Sequence, residues 1–256
     1  MLEIQNLHKS YNGRTALKTV DLTIGSGEIV GLFGSNGAGK TTLLKCILQL
    51  LRYDGRITLD GCPIDRKNIA RLSFGTSEHS FFPNLTAEDH REFYRLHFPA
   101  FSDRRFRLLM DFFALPRRRL LRTLSTGQKN QFEVILALSQ GADYILLDEP
   151  FAGNDIFNRE DFYKVLLGLL EPSETLILST HLIDEVENFV SRAVVLKDGT
   201  VAADVQADAL EDGGRTLSAF IKETYHYQPS RARDALFRTG SAEAEGAPDE
   251  ADASKE

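Results

Sequence analysis

A glycine-rich segment near the N-terminal end constrains this chain more than any other feature. Residues 33–45 read FGSNGAGKTTLLK and overlap the end of the apolar run IVGLF at residues 29–33. A continuous apolar run of this length is typical of a strand buried on both faces of a parallel sheet. The residues after the loop predict a helix from Thr41 to Leu51. The sequence therefore predicts a strand, a glycine-rich loop and a helix in direct succession.

This loop has the composition of a phosphate-binding site. Its glycines let backbone N–H groups wrap closely around a β-phosphate, and the first turn of the helix directs further free N–H groups at the same anion. Lys40 is expected to reach the β- and γ-phosphates, Thr41 to offer its hydroxyl to Mg²⁺, and Thr42 to lie at the α-phosphate. The predicted nucleotide-binding residues of the loop are Gly34, Ser35, Asn36, Gly37, Ala38, Gly39, Lys40, Thr41 and Thr42.

Two adjacent acids follow a second buried strand. The run YILLD at residues 144–148 ends in Asp148, and Glu149 comes next. Ligands of α/β sheets bind at the carboxyl ends of the strands, where these side chains are expected. We expect Asp148 to hold Mg²⁺ through a water molecule and Glu149 to accept a proton from a water attacking the γ-phosphate. A strand that ends in Asp-Glu is common, so this prediction depends on the phosphate loop.

A third motif, LSTGQ at residues 124–128, comes before a predicted helix. Ser125 and Gln128 have the spacing of a capping box, and Phe132 and Ile135 share one face of the helix that follows. Taken alone, the motif predicts only a helix cap. The free N–H groups and positive dipole end of the same helix also suit an anion. The residues by themselves leave both interpretations open.

In order and spacing, these motifs resemble those of the ATPase subunits of ABC transporters over about residues 1–217. GSNGAGKTT is similar to the Walker A motif of that family, LSTGQ to its signature and YILLDEP to its Walker B motif. The resemblance implies an α/β fold, with a P-loop NTPase (RecA-like) core, an antiparallel β subdomain and an inserted helical subdomain at about residues 78–140. It also implies ATP and Mg²⁺ as cofactors and ATP hydrolysis as the activity.

The same resemblance implies that two cassettes pair head to tail, as a homodimer or a heterodimer. Ser125 and Gly127 then contact the γ-phosphate held by the opposite cassette, and Gln128 belongs to the same predicted nucleotide-binding set. His181 resembles the switch histidine, which acts within its own chain, and Tyr11 resembles the aromatic residue that stacks on adenine. On residue type alone, His181 is interpreted as an ordinary histidine at a strand end and Tyr11 as an ordinary aromatic beside a strand, so both site predictions depend on the resemblance.

The sequence departs from the family pattern at two places. The family usually has a glutamine after the strand that leads into the helical insertion, but here Ser77 and Glu78 occupy that stretch. Serine is too short to replace glutamine, and a carboxylate accepts hydrogen bonds without donating them, so we predict Glu78 as a metal ligand. Asn154 stands where the family usually has leucine. Asp155 is retained and is predicted to lie at the nucleotide site.

Composition sets the expected partners and boundaries. The apolar runs are far shorter than the roughly 20 residues of a membrane-spanning helix, so the resemblance implies a separate membrane-spanning permease. We expect the chain to be cytoplasmic and peripheral on the inner face of the cell membrane. Its net charge of −7 does not favour nucleic-acid binding. Residues 218–239 are predicted to be a C-terminal extension, and residues 240–256 a disordered acidic tail.

Within the family, the stretches SFFPNLTAEDHREFY and LSTGQKNQ most resemble the cassettes of bacterial ABC-2 type exporters. One alternative is a soluble ABC ATPase that acts on ribosomes or nucleic acid. Such proteins usually join two cassettes or contain a long coiled coil, and this sequence has neither pattern. A second alternative is a regulatory module that binds ATP without hydrolysing it, and the retention of Asp148 and Glu149 argues against it.

Overall fold

The computed structural model describes residues 1–150 and 159–225. The strands in these ranges are β1 (Leu2–Tyr11), β2 (Arg14–Ile24), β3 (Ile29–Phe33), β4 (Asp54–Leu59), β5 (Cys62–Pro63), β6 (Leu72–Thr76), β7 (Tyr144–Asp148), β8 (Thr175–Thr180), β9 (Arg192–Lys197) and β10 (Thr200–Gln206). The α-helices are α1 (Lys40–Ile47), α2 (Ala87–His97), α3 (Asp103–Phe112), α4 (Thr126–Ser139), α5 (Arg159–Leu169), α6 (Ile183–Val186), α7 (Ala207–Asp212) and α8 (Leu217–Thr224).

The strands of these ranges form one sheet, in the order β5-β4-β1-β2-β10-β9-β3-β8-β7-β6. Strands β9, β3, β8, β7 and β6 pair in parallel, and the prediction of buried strands from the apolar runs IVGLF and YILLD is confirmed by β3 and β7. Alternate residues of β7 enter different cores: Ile145 and Leu147 pack with the helical insertion, and Tyr144 and Leu146 pack with α1. The sheet is therefore buried on both faces, and its parallel strands end at one common edge.

The other half of the sheet is antiparallel. β1 and β2 form a hairpin whose turn residues, Asn12 and Gly13, have φ angles of 46° and 82°. Two positive φ angles are the requirement of a type I′ hairpin turn, and Asn-Gly is a residue pair that favours this turn. β4 pairs with both β1 and β5, and a parallel pairing of Thr200 with Thr19 joins this half to the core. The P-loop α/β fold class predicted from the sequence is confirmed.

Helix α1 ends earlier than predicted. It covers Lys40–Ile47 rather than continuing to Leu51, because Gln49 adopts a left-handed conformation with a φ of 58°. The N–H of Leu50 donates to the carbonyl of Lys45 at 2.9 Å, and the N–H of Gln49 donates to that of Cys46 at 3.0 Å. These two bonds form a Schellman motif, which terminates the helix. A non-glycine residue at the left-handed position gave the sequence prediction no stop signal.

Helices α2, α3 and α4 lie between β6 and β7. A capping box at Thr86 begins α2, and another at Ser125 begins α4. The predicted apolar face of α4 is buried, including Phe132 and Ile135, but every residue from Phe132 to Ser139 is buried as well. A helix covered on all sides belongs to the core. Helix α4 therefore fixes the helical insertion firmly against the sheet.

The chain continues to pack against the core up to the end of the second described range. Helix α8 begins at residue 217, where the sequence analysis placed the end of the ATPase domain, and its Leu217 and Ile221 are buried. The predicted tail and residues 226–239 of the predicted extension lie outside the described residues. Within residues 1–150 and 159–225, no helix is both long and apolar enough to cross a bilayer.

Candidate functional site

A cavity of about 650 Å³ opens where β3 meets the glycine-rich loop, at the carboxyl edge of the parallel strands. The loop forms one wall, and the start of β2 with the turn between β9 and β10 forms another. The predicted site residues that line this cavity are Tyr11, Ser35, Asn36, Gly37, Gly39, Lys40, Thr41, Thr42 and Glu149. Its position is the one at which α/β sheets bind their ligands.

The loop geometry depends on Gly39, the residue that precedes α1. Gly39 has a φ of 110°, and a Cβ there would lie 2.7 Å from Leu17 Cδ2 and 3.0 Å from the Ala16 carbonyl oxygen. Neither the conformation nor the space admits a side chain. The N-terminal N–H groups of α1 have no side-chain cap at this position. They are consequently available to an anion.

Lys40 is the buried cation of the site, with only 6% of its surface exposed. Its Nζ donates to the carbonyl oxygen of Gly34 at 2.7 Å and lies 3.6 Å from Oε1 of Glu149. A buried ammonium needs such partners because it has lost its hydration. Lys40 is therefore held beside the loop, where an incoming phosphate can reach its ammonium group.

Glu149 links three of the predicted motifs. Its Oε2 lies 2.9 Å from Nδ1 of His181, and its other carboxylate oxygen faces Lys40. Its φ of 47° is unusual for a non-glycine residue, and its N–H is held by the Ser179 carbonyl oxygen at 3.0 Å. Uncommon backbone conformations of this kind are found at functional sites, where the surrounding structure maintains them.

Asp148 supplies a buried carboxylate immediately behind Glu149. It is 5% exposed and accepts a hydrogen bond from the hydroxyl of Ser179. Mg²⁺ is usually held by one or two protein oxygens, with phosphate and water completing the shell. The Thr41 hydroxyl and the Asp148 carboxylate fit that donor set. Ser179 was not predicted as a site residue. It lies near the end of β8, beside Asp148 in the parallel register, and its place near the end of that strand was a usable signal.

Glu78 forms an ion pair with α1. Its Oε2 lies 2.7 Å from Nζ of Lys45, which is one helical turn after Thr41. Lysine and carboxylate neutralise one another, so Glu78 brings little net negative charge towards a bound phosphate. Its predicted role as a metal ligand stays a prediction.

The two residues after Glu78 are attached to the signature helix α4. His79 Nε2 lies 2.7 Å from Oδ1 of Asn130, and the Ser80 N–H donates to Oε1 of Glu133 at 3.0 Å. Burial raises the pKa of Glu133 to about 7, although the Ser80 bonds act in the opposite direction. The segment that replaces the usual glutamine therefore connects the phosphate-loop helix to the signature helix.

The signature residues lie apart from this cavity. The Ser125 side chain accepts from the Gln128 N–H at 3.2 Å, and the Gln128 side chain accepts from the Ser125 N–H at 3.1 Å. The predicted capping box is thus present. Ser125, Gly127 and Gln128 are not among the described residues that line the cavity. Asp155 lies outside the described residues.

Several lining residues were not identified from the sequence. They are Arg14, Thr15, Ala16, Lys18, Asp198 and Gly199. Arg14 pairs with Tyr11 across the hairpin, so the Asn-Gly turn was a signal for it. Tyr11 itself is 42% exposed, and Nζ of Lys9 lies over its ring at 4.7 Å from the centroid. The N–H of Gly199 donates to the Ala38 carbonyl oxygen at 3.2 Å and ties the β9–β10 turn to the loop.

The fold and this loop define a P-loop NTPase. Residues 17–152, more than half of the chain, match the family described as "ABC transporter". The chain belongs to that family. It is an ATP-binding subunit of an ABC transporter and an ATPase.

Relatives and solved structures agree with this assignment. The chain is 32% identical over 216 residues to the ABC transporter ATP-binding protein YtrB of Bacillus subtilis, a match covering 83% of this chain and 74% of YtrB. It is 32% identical over 237 residues to the lipopolysaccharide export system ATP-binding protein LptB of Haemophilus influenzae, covering 88% and 98% of the two chains. Among solved structures, the cassette MJ0796 bound to ADP and Pi in a dimeric post-hydrolysis state has a TM-score of 0.69 and 26% identity, covering 81% of this chain and 99% of that one.

Proposed function

We propose that this chain hydrolyses ATP at a site shared by two cassettes and so drives a separate membrane-spanning permease. One observation carries the proposal. Glu149, which lines the cavity, contacts both Lys40 and His181, whereas Ser125 and its neighbours lie outside the cavity on an exposed helix start. The chain thus has one half of an ATP site in its own cavity. It also has a second helix start that suits an anion, at α4, and this start lies outside that cavity.

Within its own chain, Glu149 acts as the general base. When ATP binds, the Lys40 ammonium leaves its weak ion pair with Glu149. It pairs instead with the γ-phosphate, which carries more negative charge. The freed carboxylate oxygen then accepts a proton from the attacking water, while the 2.9 Å contact to His181 orients the carboxylate. Tyr11 offers its exposed ring face to adenine, and the loop residues cradle the phosphates.

Thr41 and Asp148 would hold Mg²⁺ together with phosphate oxygens and water, and Glu78 is the further proposed ligand. When bound, this cation neutralises charge on the β- and γ-phosphates. The Ser179 hydroxyl donates to one oxygen of Asp148, and the other carboxylate oxygen would be available to the cation or to water around it.

The second half of the site comes from a second cassette. The free N–H groups at the start of α4, with Ser125 and Gly127, face the γ-phosphate of the ATP held by the opposite chain. Asp155 belongs to the same contact. The dimeric post-hydrolysis state of the cassette MJ0796, to which this chain is similar, supports this proposal.

An exposed apolar patch on the helical insertion is the proposed contact with the permease. The patch is defined by Phe82 and Leu85, which precede α2, and by Phe93 and Leu96 of α2; they are 54%, 36%, 37% and 72% exposed, respectively, and the rings of Phe82 and Phe93 are 5.9 Å apart. Contiguous exposed apolar surface is typical of interaction sites. We place the chain on the cytoplasmic face of the membrane through this contact. Export is proposed from the resemblance to ABC-2 type cassettes.

The test is recovery of the tagged full chain from detergent-solubilised membranes of its host. We expect a multi-spanning protein in near-equal amount by mass spectrometry. Leu96→Glu in the patch should lose that protein and retain ATP binding. The matched control is Leu50→Glu, a similarly exposed leucine (62%) outside the patch, which should keep it. Recovery only from the soluble fraction, with ribosomes or nucleic-acid-binding proteins, would contradict the proposal.

A further inference from the structure

Tyr225, the residue after α8, contacts the phosphate loop although it lies 190 residues away along the chain. The N–H of Ser35 donates to Tyr225 Oη at 3.1 Å. The Tyr225 hydroxyl donates in turn to the carbonyl oxygen of Leu196 on β9. A phenolic hydroxyl has one proton to give and lone pairs to accept, and both capacities are used here.

These bonds act on a single peptide unit. The carbonyl of Gly34 and the N–H of Ser35 belong to the same planar amide, and they point in opposite directions. Lys40 Nζ donates to that carbonyl at 2.7 Å, and Tyr225 accepts from that N–H. The amide plane at the start of the loop is therefore fixed from both ends, by the catalytic-site lysine and by the C-terminal tyrosine.

The surroundings leave little room for another arrangement. A Cβ at Gly34 would lie 2.8 Å from the Leu196 carbonyl oxygen and 3.3 Å from Tyr225 Oη. The loop thus approaches β9 and the hydroxyl so closely that only glycine fits. Lys197 steadies the same corner, since its Nζ lies 5.6 Å from the centre of the Tyr225 ring and donates to the Thr224 carbonyl oxygen at 3.3 Å.

Tyr225 does not touch the ATP cavity. It lines a separate cavity of about 210 Å³, together with Ser35, His181 and Ile221 of α8. Its hydroxyl consequently contacts the loop without lining the cavity proposed for ATP. The ring packs against the hydrophobic core that includes Ile221, so the position of α8 determines the position of the hydroxyl.

We propose that Tyr225 is a positioning residue for ATP binding. When Lys40 turns from the Gly34 carbonyl to the phosphates, the amide loses one of its two fixed ends, and Tyr225 alone keeps the loop in its binding geometry. Affinity for ATP is thereby tied to the placement of α8. The inference rests on the proposed assignment of this loop as the nucleotide site.

The experiment compares Tyr225→Phe with the wild-type full chain. The variant keeps the ring and removes only the hydroxyl. We expect the Kd and KM for Mg·ATP to rise about fivefold, the change that the net loss of one hydrogen bond produces, with kcat within about twofold. Tyr53→Phe is the control, because the Tyr53 hydroxyl bonds Gln49 and has no contact with the loop. It should leave both constants unchanged.

Two further variants separate the possible failures. Tyr225→Ala removes the ring as well, so if only ring packing matters, Tyr225→Phe binds ATP like the wild type while Tyr225→Ala does not. That result would overturn the inference. Lys40→Ala should lose ATP binding altogether. If it bound ATP normally, the proposed site itself would be wrong; if it failed to bind while Tyr225→Phe bound normally, only the role of Tyr225 would be refuted.

Discussion

Two helix starts in this molecule differ in whether their first N–H groups are already capped. Helix α1 follows Gly39, which offers no side-chain cap, so its first N–H groups await a ligand. Helix α4 follows Ser125, whose side chain already accepts from the Gln128 N–H in a capping box. The buried Lys40 lies beside the first start, whereas the second is exposed.

This difference indicates that the two helix starts are adapted to different tasks. The α1 start lies beside Glu149, which contacts both Lys40 and His181, and under the proposed function it binds a phosphate within its own chain. The α4 start is capped and exposed, and its first turn has no acidic residue. Under the same proposal it binds the nucleotide that a second chain holds.

The largest expected effect comes from a bulky charge at the α4 start. Ser125→Arg should reduce ATP turnover at least about a thousandfold, because the side chain blocks the approach of the opposite nucleotide and removes its γ-phosphate contacts. The Kd of the chain for ATP, measured on its own half-site, should change less than about twofold. If Ser125→Arg weakened ATP binding as much as it slowed turnover, Ser125 would belong to the ATP site of its own chain. The two helix starts would then not serve different chains.

A smaller change tests whether the cap itself stabilises α4. Ser125→Ala should lower the free energy of unfolding by about 1 kcal/mol, since the Gln128 N–H loses its acceptor. Thr86→Ala removes the equivalent cap of α2 and should have a similar cost in denaturant unfolding. Only Ser125→Ala should also slow ATP turnover. Equal turnover in the two variants would reduce Ser125 to a structural cap.

The smallest effect concerns Glu133, a buried acid within α4. Its pKa is about 7 in the folded chain against an ordinary value of 4.5, so the folded state binds the proton more tightly. Its contribution to stability is then complete below about pH 4.5 and is lost as the pH rises through 7. The amide of Glu133→Gln does not titrate. The difference in unfolding free energy, wild type minus variant, should fall by about 1 kcal/mol between pH 6 and pH 8.

The control for this prediction is Glu78→Gln, which makes the same substitution at a side chain that is 67% exposed. The unfolding free energies of the wild type and Glu133→Gln are compared from pH 6 to pH 8. If their difference stayed constant, Glu133 would carry its charge in the folded chain throughout this range.

Local patterns predicted much of the fold and part of the site. The parallel strands, the Asn12–Gly13 turn, the start of α1 and the capping box at Ser125 each depend on a few neighbouring residues, so the sequence showed them. The predicted end of α1 was wrong because Gln49 adopts a left-handed backbone conformation that usually indicates glycine. The Ser35–Tyr225 bond joins residues 190 positions apart, and no local spacing encodes it.

The central claim is that ATP joins two cassettes through the α4 start. It is tested most directly by the molecular mass in solution of the full-length Glu149→Gln chain, which should retain ATP because its base is missing. Without ATP we expect 28.7 kDa, and with Mg·ATP twice that mass. Adding Ser125→Arg should return the mass to that of the monomer while one ATP stays bound per chain. A dimer that persists in the double variant, or no dimer with ATP at all, would contradict the account.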